Sequence, residues 1–172
     1  FVTEHQLGRV KTNYRLRDAI FSRQRYWGAP IPIIHCPHCG EVPVPEEDLP
    51  VKLPDIDDYQ PSGDGQSPLA KVKSWVNVDC PKCGHPAKRE TDTMDSYACS
   101  SWYLFRYTSA GDNQQAWDKD KADYWCPLDF YVGGDHAVAH LLYFRFWTKF
   151  FADHGYLGFS EPVKRLLYNG YI

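Results

Sequence analysis

Two groups of side chains in this sequence have the types and spacing for chemistry, and the first is a set of four cysteines. Cys36 and Cys39 form one Cys-x-x-Cys pair, and Cys80 and Cys83 form another. Each pair can turn two thiolates toward one ion, and two pairs complete the tetrahedron that zinc prefers. We therefore expect a zinc ribbon with one structural Zn²⁺, bound by Cys36, Cys39, Cys80 and Cys83.

The two cysteine pairs lie farther apart than in most zinc ribbons. Forty residues separate them, at positions 40 to 79, where about 15 to 20 are usual. Residues 41–68 are rich in Pro, Asp and Gly, which predicts a surface loop that the site can exclude. His35, His38 and His85 are alternative ligands, and metal-free thiols or disulfides are alternative states. We expect a cytoplasmic, reducing compartment because no secretory-signal layout opens the chain, and this favours metal ligation over disulfides.

The second group is His136 and His140, which follow Gly133-Gly134-Asp135. Histidines four residues apart share one face of a helix, here near its positive N-terminal end. They are either satisfied core histidines or neutral imidazoles that line a pocket, and the preceding glycines favour the pocket. The metalloprotease motif is excluded because Ala137 stands where Glu is required. The dinucleotide fingerprint is excluded because Val138 stands where a third glycine is required.

A strand, a turn and a helix must position these histidines. The aromatic run at 124–132 predicts a buried strand, the glycine pair predicts a sharp turn, and Asp135 is expected to be the N-cap of the helix. The helix is expected to end at His154-Gly155, where glycine suits a C-cap. Open α/β sheets bind ligands at such turns, outside the carboxyl ends of their strands.

The rest of the chain predicts shorter elements. Residues 28–34 alternate Pro with β-branched residues and predict an extended edge segment. Val42–Val44 and Trp75–Asp79 predict strands beside the cysteine pairs. Residues 91–107 have a helical pattern of apolar or small side chains, at Met94, Tyr97, Ala98, Ser101, Trp102 and Phe105.

Composition excludes several classes of protein. Of the 172 residues, 43% are hydrophobic and 16% aromatic, which argues against disorder. The net charge of −3 excludes a chain-wide field for nucleic acid. The most apolar window, Leu141–Phe151, contains Arg145 and Lys149, so we expect no membrane span. The chain begins with Phe1 rather than Met, and we expect it to be a piece of something larger.

Three segments resemble leucyl-tRNA synthetases of the bacterial type. The first is the block Gly-Gly-Asp-His-Ala-Val-Ala-His-Leu-Leu-Tyr at 133–143. The second is Ser-Arg-Gln-Arg-Tyr-Trp-Gly-Ala-Pro-Ile-Pro at 22–32. The third is Thr-Asp-Thr-Met-Asp at 91–95, followed by Ser-Ser-Trp-Tyr at 100–103. The similarity follows the family's order over nearly the whole chain, and the His-Leu-Leu-Tyr block distinguishes leucyl from isoleucyl and valyl enzymes.

The resemblance implies an α/β fold, the second half of a Rossmann-type class I synthetase catalytic domain with an inserted zinc ribbon. Residues 1–34 would return from the editing insertion and begin the second catalytic half. Residues 35–88 would be the zinc-ribbon insertion, and residues 89–172 a segment of the catalytic core.

The activity implied by the resemblance is that of a leucine–tRNA ligase. The parent enzyme would be a monomer without membrane contact, with leucine, ATP, Mg²⁺ and tRNA(Leu) as its substrates and partners. The charged motifs of the family, His-Ile-Gly-His and Lys-Met-Ser-Lys-Ser, do not occur in this sequence. We therefore expect no catalytic residue here and no activity from the isolated chain.

By position in the family pattern, two sets of residues should contact substrates. The set expected to line the leucine side-chain pocket is Tyr97, Ser100, Tyr103, His136 and His140. The set expected at the adenosine of ATP is Gly133, Gly134, Asp135 and Asn169. The basic residues near the start of the chain are either a solvated face or contacts for tRNA phosphates; they are Arg9, Lys11, Arg15, Arg17, Arg23 and Arg25.

Two departures from the family pattern limit these expectations. The family has one residue between Gly-Gly and a glutamate, whereas Asp135 follows Gly134 directly. Asp135 is therefore either a ribose ligand or merely the helix cap. Tyr97 stands where Phe is common.

The alternative functions are a zinc-ribbon binding module without catalysis and an inactive synthetase paralogue.

Overall fold

The computed structural model describes residues 1–15, 20–60 and 63–170, with the side chain of Asp135 outside that description. The strands are β1 (Ser22–Arg23), β2 (Ile33–Cys36), β3 (Gly40–Pro43), β4 (Asn77–Asp79), β5 (Pro86–Arg89), β6 (Thr93–Met94), β7 (Leu128–Val132) and β8 (Val163–Leu167). The α-helices are α1 (Lys73–Val76), α2 (Ser96–Ser100), α3 (Tyr103–Tyr107), α4 (Lys119–Trp125) and α5 (His140–Asp153). The expected α/β class is confirmed.

A four-stranded antiparallel sheet carries the cysteine pairs, with strand order β3-β2-β5-β4. One face of this sheet packs into a small core. Its buried members are Ile34, Cys36, Val42 and Ala87 from the strands, together with Val44 and Cys80. The strand predicted at 42–44 is confirmed to within two residues, as β3. The strand predicted at 75–79 is only half right, because Trp75 and Val76 belong to α1. The backbone of Val76 bonds to the Val72 carbonyl at 2.9 Å, and the chain extends only from Asn77.

A larger core lies in the second half of the chain. Its buried members are Phe105, Trp117, Ala122, Cys126, Leu141, Phe144 and Leu157. These residues come from α3, α4, α5 and the loops that follow them, so long-range packing rather than one helix face builds this core. The apolar positions predicted on the 91–107 helix do face inward at Ala98, Ser101 and Phe105, which are all at most 1% exposed.

The prediction of one helix over 91–107 was wrong in part, because Thr93–Met94 form β6 and the helical residues after them are divided between α2 and α3. Asp95 caps α2 by accepting a hydrogen bond from the Tyr97 backbone at 2.9 Å. The chain then leaves the helical conformation at Trp102, whose φ is −115° and ψ is 6°, before α3 begins. The Ser101 hydroxyl donates to the Tyr97 carbonyl, which places a side-chain bond at the break. A side chain that bonds back to the preceding turn commonly accompanies a helix bend.

Strand β7 precedes α5 in the chain and strand β8 follows it. The two strands pair in parallel, with Val132 opposite Leu167. The prediction of one buried strand over 124–132 was wrong. Tyr124 and Trp125 end α4, a helix that Asp118 caps through the backbones of Asp120 and Lys121. In the described residues the sheet has two strands, so Phe130 and Val132 are 52% and 59% exposed.

The predicted start of α5 was also wrong. Residues Gly134–Ala137 form a 3-10 turn, and the N-cap position of α5 is Ala139 rather than Asp135. The predicted end is confirmed, because His154 is the C-cap and Gly155 follows with a φ of +79°. His136 therefore precedes the helix, and His140 is its first residue.

The segments at 22–32 and 91–95 are joined in space. Strands β1 and β6 pair with Arg23 opposite Thr93, and Pro30 bridges to the same threonine. The guanidinium of Arg23 contacts the buried carboxylate of Asp95 at 2.5 Å. Because Asp95 also caps α2, this ion pair fixes the start of α2 against the incoming chain. Among the described residues, none of the helices has the length and apolar character to traverse a bilayer.

Candidate functional site

The four paired cysteines meet at one point. The Sγ atoms of Cys36, Cys39, Cys80 and Cys83 all lie within 4.8 Å of one another. Sulfurs that share a zinc at about 2.3 Å in a tetrahedron lie about 3.8 Å apart, and the sulfurs of Cys36 and Cys83 are 3.6 Å apart. The four thiols therefore have a geometry that fits a metal ion.

Tight turns in the backbone bring each pair of cysteines together. In the second pair, the Gly84 backbone donates to the Cys80 carbonyl at 2.8 Å, and Cys80 donates to the His85 carbonyl at 2.9 Å. Gly40 and Gly84 follow the second cysteine of each pair with φ values of +74° and +70°. Glycine adopts this left-handed conformation without the strain that a Cβ brings.

The thiols of Cys36 and Cys39 have very different pKa values. Burial opposes ionisation of Cys36, but hydrogen bonds to the backbones of His38 and Cys39 and to the thiols of Cys83 and Cys80 lower its pKa to about 6. The hydrogen bond to Cys83, together with burial, raises the pKa of Cys39 to about 12. The thiol of Cys36 is thus ready to ionise, whereas the thiol of Cys39 needs a nearby cation to do so.

The neighbouring histidines lie outside the cysteine cluster. The ring of His35 bonds to the Glu90 carboxylate at 2.9 Å. The rings of His38 and His85 stack on each other with centroids 4.6 Å apart. Among the described residues, the group with metal-ligand geometry is the four cysteines alone.

The second group of residues surrounds His140, which is 6% exposed at the start of α5. Ring centroids of Tyr97, Tyr103 and His136 lie 6.0, 5.7 and 5.8 Å from the centroid of His140. Tyr97 and His136 are exposed, and Ser100 lies exposed on α2. The structure therefore brings the five residues expected at a leucine pocket to one place, where the buried imidazole faces accessible neighbours.

The environment of His140 keeps its imidazole neutral. Burial lowers the pKa of His140, the nearby His136 lowers it further, and a hydrogen bond to the Ser100 backbone offsets part of this effect. The Nδ1 atom lies 2.7 Å from the hydroxyl of Tyr131. A neutral ring with its nitrogens occupied presents an apolar, uncharged surface.

Tyr131 is a member of this group that the sequence did not single out. Its ring stacks on His140 at 5.7 Å with an interplanar angle of 15°. The sequence did contain a signal that could have identified Tyr131. It lies two residues before Gly133, and in a strand such residues lie on the same face. The exposed Phe130 and Val132 point to the other face.

The residues expected at adenosine lie where β7 and β8 end. The Gly133 backbone donates to the Leu167 carbonyl at 3.2 Å, so the turn begins beside the end of β8. Asn169 lies exposed two residues beyond Leu167. A Cβ on Gly133, whose φ is +136°, would lie 2.7 Å from Cδ2 of His136, and a Cβ on Gly134 would overlap the Tyr168 ring. Asp135, expected at the ribose, has a side chain outside the described residues.

Known proteins resemble this chain over its whole length. Leucine–tRNA ligase of Cyanothece sp. is 59% identical over 166 residues, which are 96% of this chain and 19% of that protein. Leucine–tRNA ligase of Trichormus variabilis is 56% identical over 173 residues, which are 100% of this chain and 20% of that protein. No family model matches the chain.

The fold is similar to a solved synthetase. A crystal structure of a ternary complex of Agrobacterium radiobacter LeuRS, tRNA and LeuAMS matches with a TM-score of 0.88 and 45% identity. The match covers 99% of this chain and 22% of that chain. By sequence and by fold, the chain belongs to the leucine–tRNA ligase family, and it spans about one fifth of the length of the relatives it matches.

Proposed function

We propose that the protein carrying this chain is an active leucine–tRNA ligase, and that this segment supplies walls of its leucine and adenosine sites. The observation that carries the proposal is the match to leucine–tRNA ligases at 54–59% identity across the chain. The enzyme would join leucine to ATP as leucyl-adenylate and then transfer leucine to tRNA(Leu). Residues 1–34, 35–88 and 89–172 would serve as the return from the editing insertion, the zinc ribbon and the catalytic core segment.

The group around His140 would bind the leucine side chain. Tyr97, Ser100, Tyr103, His136 and His140 form a wall of aromatic rings and neutral imidazole. Discrimination against isoleucine depends on one misplaced methyl group, for which binding supplies only about 1–3 kcal/mol. A rigid planar wall makes such a misplacement costly, and a charged imidazole would oppose an aliphatic ligand. The lowered pKa of His140 supports this role.

The turn after β7 would hold the adenosine. Gly133, Gly134 and Asn169 lie at the carboxyl ends of parallel strands, where α/β sheets bind nucleotides. Asp135 would accept hydrogen bonds from the ribose hydroxyls. ATP would bring Mg²⁺, and the charges that stabilise the transferring phosphate would come from motifs outside this sequence. The segment would contribute alignment rather than charge.

The four cysteines would bind Zn²⁺ as a structural ion. A closed Cys₄ set leaves no open position for a substrate, and thiolate ligands at the observed sulfur spacing suit zinc. Binding of this kind contributes on the order of 10 kcal/mol to folding of a small module. The metal would therefore hold the ribbon together and take no part in leucine activation.

The test is leucine-dependent ATP–pyrophosphate exchange by the intact protein, with isoleucine and valine as controls. We expect exchange with leucine and little with the other two amino acids. The His140→Ala variant should raise the leucine KM at least tenfold and leave the ATP KM nearly unchanged, because the ring faces the residues proposed to bind the leucine side chain, whereas Gly133, Gly134 and Asn169 are those proposed at the adenosine. Equal losses for leucine and ATP would show that His140 supports the fold instead.

A further inference from the structure

We propose that Tyr131 is a positioning residue of the leucine pocket, one that donates a hydrogen bond to Nδ1 of His140 and so fixes the tautomer and plane of that ring. The inference rests on the proposed function and deepens it. Tyr131 belongs to none of the three family-like segments on which the pocket was predicted, and it is identified by its contacts alone.

The first step is the direction of the hydrogen bond. The Tyr131 oxygen lies 2.7 Å from Nδ1 of His140, and the ring has a second polar partner in the Ser100 backbone. The Ser100 contact raises the pKa of His140, so in this contact the ring donates a proton to the backbone carbonyl. A neutral imidazole has one N–H, which leaves Nδ1 as an acceptor. The phenol must therefore donate.

The second step is that the phenol is able to donate. Burial, with smaller effects from Tyr103 and Tyr97, raises the pKa of Tyr131 above its ordinary value. The hydroxyl therefore keeps its proton throughout the physiological range. The ring of Tyr131 is also half-buried and nearly parallel to His140, so stacking restricts the orientation in which the hydroxyl is presented.

The third step concerns the pocket surface. With Nδ1 bonded to Tyr131 and the N–H directed to Ser100, His140 has no free polar atom to offer a ligand. The accessible part of the imidazole is then carbon, which suits a leucine methyl group. Loss of the phenol hydroxyl would expose an acceptor nitrogen in the pocket, and an unpaired buried acceptor attracts a proton or a water.

Other titratable groups face His140 from each element around it. They are Tyr97 on α2, Tyr103 on α3, Tyr131 on β7 and His136 in the 3-10 turn, while α5 contributes the uncharged Phe144. Of these groups, His136 lowers the pKa of His140. A phenol that donates to Nδ1 stabilises the neutral ring. Removal of the Tyr131 hydroxyl should therefore raise the pKa of His140 toward its ordinary value of about 6.5.

The test uses Tyr131→Phe in the intact protein, with Tyr124→Phe as a matched control because Tyr124 is 79% exposed on α4. We expect Tyr131→Phe to raise the leucine KM about fivefold, the order of one neutral hydrogen bond, and to leave the ATP KM unchanged. On the acid side, kcat/KM for leucine should fall with a higher apparent pKa than in the unsubstituted protein. The Tyr124→Phe control should match the unsubstituted protein in its leucine KM, its ATP KM and its apparent pKa.

A double-mutant cycle decides whether Tyr131 acts through His140. In the His140→Phe background the phenol has no nitrogen to bond, so we expect Tyr131→Phe to change the leucine KM less than twofold. An equal effect in both backgrounds, or no effect in the native one, would overturn the proposal.

A readout independent of activity separates this inference from the proposed function. Nitrogen-15 NMR of histidine distinguishes the two neutral tautomers, and the His140 signal is the one lost in His140→Phe. We expect the tautomer with the proton on Nε2, with a shift toward a mixture in Tyr131→Phe. The opposite tautomer would overturn the inference even in an active ligase. Absence of leucine-dependent exchange, with the expected tautomer present, would overturn only the proposed function.

Discussion

At the scale of single residues, the turn after β7 depends on one glycine. Gly133 has φ +136° and ψ 109°, a conformation that costs an L-residue on the order of 1–3 kcal/mol. A Cβ at this position would also lie 2.7 Å from the His136 ring. Gly133 therefore both begins the turn that we propose to hold adenosine and limits where the His136 ring can lie.

We predict that Gly133→Ala lowers leucine activation at least tenfold, since the added methyl group strains the turn and displaces His136. The measurement is pyrophosphate exchange together with the thermal midpoint. Gly155→Ala is the matched control, because Gly155 also has a positive φ of +79° but has nothing within 4 Å of its missing Cβ. Both variants should lose thermal stability, and only Gly133→Ala should lose activity. A fully active Gly133→Ala would remove the turn from the proposed site.

At the scale of elements, α5 is tied to the segment that leads into β8. Arg145 and Lys149, one turn apart on α5, contact the Glu161 carboxylate at 2.7 and 2.8 Å. The hydrogen bond from Arg145, with a further one from Lys149, lowers the pKa of Glu161 to about 2. The ion pairs are half-exposed, so screening leaves them at most about 1 kcal/mol.

We predict that the stabilisation by Glu161 is lost in acid. The carboxyl pKa is lower when folded than its ordinary 4.5, so the contribution is complete above about pH 4.5 and falls as the pH drops toward 2. Glu161→Gln should speed amide exchange in residues 154–163 at pH 6, and the difference from the native protein should shrink at pH 3. Exposed Glu47 supplies the control Glu47→Gln. A difference independent of pH would assign the effect to packing.

The elements also show what sequence patterns can and cannot predict. The end of α5 was predictable because Gly155 supplies a local conformational signal, and β3 was predictable from alternation beside a cysteine pair. The start of α5 was not predictable. Asp is a residue type that often caps helices, but at Asp135 the chain makes a 3-10 turn before the helix begins. The aromatic run 124–132 misled because Tyr124 and Trp125 are as apolar as β7, whereas the Asp118 cap assigns them to α4.

The candidate site was predictable to a similar extent and for a similar reason. Motifs identified the cysteines and the residues around His140, since those signals lie within short segments. Tyr131 was missed because its role depends on contact between β7 and the first residue of α5. Such a contact appears only when the parallel strands and the helix are folded together.

At the scale of the whole molecule, the described chain has two separate cores. One surrounds Phe105 and Phe144, and the other includes the cysteine sulfurs among its packed atoms. In the described residues, the strands of the four-stranded sheet pack mainly against one another and against α1. The Glu90 backbone bond to the Ile33 carbonyl at 2.9 Å extends the β2–β5 pairing. The ring of His140 packs against Phe144 of the first core. Loss of metal should therefore unfold the core that contains the cysteines and spare the core around Phe105 and Phe144.

We predict that Cys80→Ser binds less than one tenth of the zinc found per native chain, and that residues 35–88 then lose protection from amide exchange. Protection around Phe105 and Phe144 should persist, because that core contains no metal ligand. Cys99→Ser is the matched control, as Cys99 is a partly buried cysteine outside the cluster, and it should keep its zinc. The measurements are metal analysis by mass spectrometry and hydrogen exchange of the intact protein. Undiminished zinc in Cys80→Ser would refute the four-cysteine site, and global loss of protection would show that the two cores fold as one unit.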